Sequence, residues 1–73
     1  MPRLPLISGR ELVKALERLG FEQVSQRGSH VKLRRRSTTC IVPLHPELKK
    51  GTLNGVLQQA EVTLTELLEA ISH

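Results

Sequence analysis

Gln26-Arg27-Gly28-Ser29-His30-Val31-Lys32-Leu33-Arg34-Arg35-Arg36 is the stretch on which the reading of this 73-residue chain turns. Gly28-Ser29 has the composition of a tight turn, and the residues after it have the alternation of a strand. With a side-chain period of two, Val31 and Leu33 point to one face, and His30, Lys32 and Arg34 point to the other. Neighbours on one face of a strand lie roughly 6–7 Å apart, so an imidazole, an ammonium and a guanidinium line up along one exposed ridge. Such a ridge suits a phosphodiester, because cations hold the phosphate and histidine moves a proton near neutral pH. On spacing alone, a solvated histidine on an ordinary basic strand has the same pattern.

Working outward toward the N-terminus, Ser8-Gly9-Arg10-Glu11 has the spacing of a capping box and opens a helix. Leu12, Val13, Leu16 and Leu19 follow at helical spacing, Gly20 is placed to end the helix, and Ile7 is placed to staple onto Leu12. Phe21 to Arg27 reads as a first strand with Val24 facing inward, and His30 to Arg34 or Arg35 as a second. Arg36-Ser37-Thr38 makes a short turn into a third, Thr39-Cys40-Ile41-Val42. Connections this short imply an antiparallel meander, which Pro43 and Pro46 should stop.

Beyond the loop from Leu44 to Gly51, Thr52 is placed as an N-cap, with Leu53, Val56, Leu57 and Ala60 as an apolar stripe that Gly55 weakens. Thr63-Leu64-Thr65-Glu66 is a second capping box, opening a short last helix with Leu64, Leu67, Leu68 and Ile71 inward. The expected fold is α+β, in the order α-β-β-β-α. Its three-stranded antiparallel sheet should carry the helices on one face and leave the other open. One domain spanning residues 1–73 is expected, near the lower size limit for a self-sufficient core.

Composition narrows the partners. The chain has no Trp or Tyr and one Phe, Phe21, so the core is mainly Leu, Val and Ile, and stacking platforms for bases are missing. Residues 1–60 hold all eleven Lys and Arg against four Glu, a net +7, whereas residues 61–73 hold three Glu and no Lys or Arg. A basic body of this kind implies a polyanion or an acidic protein partner, through phosphate contact more than sequence reading. Cys40 is the lone cysteine, which excludes an internal disulfide and a thiol-based metal site, and it reads as a small buried residue. Met1-Pro2-Arg3-Leu4-Pro5-Leu6-Ile7 lacks the apolar stretch of a signal peptide and nothing reaches transmembrane length, so a cytoplasmic location without membrane contact is expected.

Three motifs occur in order: Gly28-Ser29-His30, then Val42-Pro43-Leu44-His45, then Gly51-Thr52-Leu53 opening a helix that runs to Gln59-Ala60. Together they resemble the HicA (YcfA-like) toxins, small ribonucleases of bacterial toxin–antitoxin pairs, over nearly the whole chain from Ser8 to about Ile71. The resemblance implies a fold like that of double-stranded-RNA-binding domains. It also implies metal-independent cleavage of mRNA through the histidine of Gly-Ser-His, here His30, and a HicB-like antitoxin that blocks the toxin. In that family glycine usually follows the Gln-Ala pair, where this chain has Glu61, a departure away from the proposed site.

The candidate residues follow from both lines of reasoning. His30 is the expected general acid/base, and Arg27, Gly28, Ser29, Lys32 and Arg34 are the expected RNA-binding residues around it. His45, between Pro43 and Pro46, is either a turn residue or a second acid/base. Lys49 and Lys50 lie beside a helix start with Thr52, where an anion would relieve their conflict with the helix dipole. No carboxylate or thiol spacing completes a metal site around His30 and His45, so no metal and no cofactor are expected. The alternative activity is a non-catalytic RNA-binding module of the same fold. The oligomeric state is expected to follow from the antitoxin complex.

Overall fold

The computed structural model describes residues 3–72; Met1 and Pro2, the start of the N-terminal stretch, lie outside them. The elements run α1 (Gly9–Arg18), β1 (Glu22–Arg27), β2 (His30–Arg35), β3 (Thr38–Pro43), α2 (Lys50–Ala60) and α3 (Leu64–Ile71). The strands form one antiparallel sheet in the order β1-β2-β3. The fold is therefore α+β in the expected α-β-β-β-α order, with α3 as the short final helix.

α1 forms where its caps and its apolar spacing agree. The Ser8 hydroxyl accepts from the Glu11 N–H at 3.1 Å, and the Ser8 N–H donates to the Glu11 carboxylate at 2.9 Å. These bonds favour the ionised form and hold the Glu11 carboxyl below its usual range. Leu12, Val13, Ala15 and Leu16 are buried. The helix ends on Gly20 at φ +99°, with the Gly20 N–H donating to the Glu17 carbonyl and the Phe21 N–H to the Leu16 carbonyl, both at 3.0 Å. Those are the two bonds of a Schellman cap.

The start of α1 is seated on the end of β3. A Cβ at Gly9 would lie 2.1 Å from the Pro43 carbonyl oxygen, so only glycine fits. The Gly9 N–H donates to the His45 carbonyl at 2.9 Å, the Leu48 N–H to the Ile7 carbonyl at 2.9 Å, and the Leu44 N–H to the Ser29 carbonyl at 2.7 Å. One end of the molecule thus knits together the α1 start, the β1–β2 turn and the segment leading to α2.

Strand parity decides the two faces of the sheet. Val31, Leu33, Cys40 and Val42 are buried in one cluster with Leu12, Leu16, Leu53 and Leu67, while His30, Lys32, Arg34 and Ile41 are exposed. The helices cover the first face and leave the second bare. Cys40 is a buried apolar residue, as expected, and burial pushes its thiol up to about 11. The outer edge of β3 is closed by α2, whose Gln59 side-chain oxygen accepts from the Ile41 N–H at 3.1 Å.

Two expectations need correction, the facing of Val24 and the cap of α2. Val24 does not face inward. It is 40 % exposed: the pairing of Gln23 with inward Leu33 already turns the next residue to the bare face, and the β-bulge between Gln23 and Ser25 leaves Val24 without a partner. The sheet stops at Pro43 as expected, with Pro43 itself the last residue of β3, which runs from Thr38 and pairs Pro43 with His30. As the last residue of an edge strand, it is in a position that tolerates a missing N–H. Thr52 is not the N-cap of α2. Lys49 takes that place with no side-chain cap, because buried Leu48 is pinned to Ile7 and the chain turns helical directly after it. In α3, Leu67 is buried and Leu64 and Ile71 pack half-buried against the core, as expected; Ala70 is buried in addition, and Leu68 is half-buried outside that cluster.

Two of the eleven cations are structural. The Arg35 guanidinium lies 4.6 Å over the Phe21 ring and donates to the Leu19 carbonyl at 2.9 Å, tying the α1 cap to β2. Arg18 donates to the Ala70 carbonyl at 2.9 Å and joins α1 to α3. Between α2 and α3, Glu61 adopts a left-handed φ of 56°, with its own N–H and that of Val62 donating to the Gln58 and Leu57 carbonyls. The break there keeps the geometry of a glycine cap without the glycine. Thr63 and Glu66 then cap α3 reciprocally.

Candidate nucleic-acid interface

Register places the ridge residues one by one. His30 is opposite Arg27 on β1 and Pro43 on β3; Lys32 is opposite Ser25 and Ile41; Arg34 is opposite Glu22 and Thr39. A shallow depression of about 320 Å³ is lined by Ser25, Arg27, His30, Lys32 and Ile41. It holds an imidazole, a guanidinium and an ammonium around a hydroxyl and one apolar side chain. The three charged or titratable groups are those singled out in the sequence. Ser25 and Ile41 are additional.

The other candidates lie around this centre. Arg34 lines a separate depression farther along the ridge, with Gly20, Glu22, Arg35 and Arg36. Gly28 has φ +60° with open space around it, so glycine is required there by the backbone turn and not by a neighbour. The Gly28 carbonyl accepts from the Gln26 side-chain amide at 3.0 Å, and the Ser29 carbonyl holds Leu44. Gly28 and Ser29 thus support the end of the site and do not line it. His45 is exposed, with its carbonyl committed to Gly9, and it does not line the depression with His30.

Lys49, Lys50 and Thr52 are exposed at the start of α2, away from the lining of the depression. α1 and α3 each carry a capping box with an acid in the first turn, whereas α2 has neither. Its first N–H groups therefore have no side-chain acceptor from the cap residue. No three His, Cys, Asp or Glu among the described residues converge as metal ligands would. No helix among them is long and apolar enough to cross a membrane.

The missed residues differ in how visible they were. Ile41 has the parity of the open face once Cys40 and Val42 are assigned to the core, so its signal was present. Ser25 reaches that face only through the bulge, which leaves no distinct mark in Glu22-Gln23-Val24-Ser25-Gln26-Arg27.

No curated protein matches the chain. Residues 9–62, from the first residue of α1 to just past α2, match the family described as HicA toxin of bacterial toxin-antitoxin. The match covers well over half of the chain and includes the whole sheet, and the protein belongs to the HicA toxin family, the toxins of bacterial toxin–antitoxin pairs.

Proposed function

We propose that this toxin is a metal-independent endoribonuclease that cleaves mRNA, with His30 as general acid/base. The observation that carries this reading is the depression on the bare sheet face, where exposed His30 stands with Arg27 and Lys32. In the cleavage, the ribose 2′-oxygen bonds to phosphorus and the bond to the 5′-oxygen breaks. One proton leaves the 2′-hydroxyl and one is delivered to the 5′-oxygen. Imidazole suits either transfer because its ordinary pKa lies near working pH. Arg27 and Lys32 stabilise the charge that builds on the phosphorane oxygens.

Arg34 continues the backbone contact along the ridge, and Gly28 and Ser29 hold the turn that presents His30. Lys49, Lys50 and Thr52 form a second phosphate contact at the uncapped start of α2. His45 serves the turn: its carbonyl receives the Gly9 N–H, and it leaves the chemistry to His30. The whole chain acts as one HicA-like domain in the cytoplasm, and its oligomeric state is set by the antitoxin complex. The partner is a HicB-like antitoxin that covers the His30 face and excludes RNA. Binding of the folded form also stabilises a small core.

The test is incubation of the purified chain with RNA in excess chelator. The reading requires fragments with 5′-hydroxyl and 2′,3′-cyclic phosphate ends, blocked by the antitoxin. RNA that is bound but left intact would make the chain a non-catalytic RNA-binding module instead.

A further inference from the structure

The bulge in β1 changes which side chains meet His30. Gln23 is opposite Leu33, but the next partner pair is Ser25 with Lys32, so one extra residue, Val24, is inserted between them. A shift of one residue moves every following side chain to the other face of a sheet. In unbroken register Val24 would stand opposite Lys32, Ser25 opposite Val31, and Gln26 opposite His30. Arg27 would then fall on the helix side. With the bulge, Ser25 and Arg27 turn onto the His30 face.

The two sides of the sheet agree with this phase. Gln23, Gln26 and Val31 line a groove against α1 on the helix side, with Arg10, Val13 and Lys14 among its other walls. Ser25, Arg27, His30, Lys32 and Ile41 line the depression on the bare side. Ser25 is a diagonal neighbour of His30 across the ladder, at the roughly 7–8 Å typical of such pairs. A neutral hydroxyl that both donates and accepts is therefore fixed between two cations, beside the imidazole.

We propose that the bulge at Val24 completes the site by turning Ser25 toward the bound strand, where its hydroxyl takes a ribose 2′-hydroxyl and selects RNA over DNA. The inference rests on the ribonuclease reading. The cations meet phosphate, which RNA and DNA share. The group that distinguishes the two is the 2′-hydroxyl, itself both donor and acceptor, and Ser25 matches it. Arg27 owes its place opposite His30 to the same bulge.

The experiment compares binding of an unstructured oligoribonucleotide and its all-deoxy counterpart at fixed salt. It uses the full chain carrying His30→Ala so that the RNA stays intact. Adding Ser25→Ala should weaken RNA binding by roughly three- to tenfold and leave DNA binding unchanged. Ser25→Thr, which keeps the hydroxyl and suits a strand, should restore the preference. Deleting Val24 removes only the extra residue and leaves Ser25 opposite Lys32 and Arg27 opposite His30 in a continuous ladder, so the folded deletion variant should keep the preference, and its loss there would overturn the placement of Ser25. The Ser25 variants stand alone if that deletion fails to melt cooperatively. Equal changes for RNA and DNA on Ser25→Ala, or no change, overturn the inference while cleavage by the parent chain leaves the ribonuclease reading intact. A parent chain that neither cleaves RNA nor prefers it over DNA overturns both.

Discussion

Arg27 stands directly opposite His30 across the β1–β2 ladder, on the face that the helices leave bare. Facing side chains in such a pair start from Cβ atoms roughly 4.5–5.5 Å apart, so a phosphate held by the guanidinium lies within reach of the imidazole. Arg27→Gln should slow single-turnover RNA cleavage by about a hundredfold, the scale of losing one donor to a developing oxyanion. The melting midpoint should stay put, because an exposed strand residue contributes within about half a kcal/mol. An unchanged rate would remove Arg27 from the site.

Gly9 fixes how closely α1 approaches the end of β3. Gly9→Ala puts a methyl carbon against the backbone of Pro43 and Leu44, which cannot give as a flexible side chain would. The expected loss is about 1–3 kcal/mol, read by urea unfolding. The variant should also loosen the end of the molecule that holds the β1–β2 turn. A stability equal to the parent's would show that α1 shifts freely on the sheet.

Glu61 occupies a left-handed position that glycine adopts without a Cβ clash. Its carboxylate accepts only a long 3.4 Å bond from the exposed Thr38 hydroxyl. Glu61→Gly should therefore stabilise the chain by about 1 kcal/mol, since the left-handed conformation costs about that much for other residues. In a domain this small the melting midpoint should rise by roughly 4–8 °C. A lower midpoint would mean that the Thr38 contact outweighs the strain.

Most of the fold was legible in the sequence because its signals are local. Ser8 with Glu11 and Thr63 with Glu66 state two helix starts, Gly20 states an end, and the alternation of His30 to Arg34 states which strand face is bare. Arg35 was equally legible by parity with Val31 and Leu33. Its role on Phe21 was hidden because three adjacent arginines read as one basic run. The start of α2 was misplaced because Thr52 is a better cap by type than Lys49. What decides that boundary is the distant bond from Leu48 to Ile7. The bulge at Val24 was not legible at all, since pairing with β2 creates it and no residue in β1 announces it. That His30, Arg27 and Lys32 share one depression on the bare face was legible in the sequence, and that Ser25 joins them was not.

Lys49 and Lys50 flank a helix start that carries no acid and no side-chain cap. If they meet phosphate, changing both to Gln should weaken RNA binding and reduce the slope of log affinity against log salt by about 1–2. The lysines are exposed, so the fold should be unaffected. A slope that does not move places both lysines in water and removes the second phosphate contact.

If His30 moves a proton in the chemical step, His30→Ala must slow the reaction itself and not the binding or the folding. The measurement is the single-turnover cleavage rate of the variant, taken beside its RNA affinity and its melting midpoint. His30 is exposed at the start of β2, so the midpoint should hold, and Arg27, Lys32 and Arg34 remain to keep RNA bound. The rate should fall by roughly a hundred- to ten-thousand-fold, the contribution of a positioned general acid or base. A folded variant that still cleaves RNA at the parent rate would contradict the mechanism.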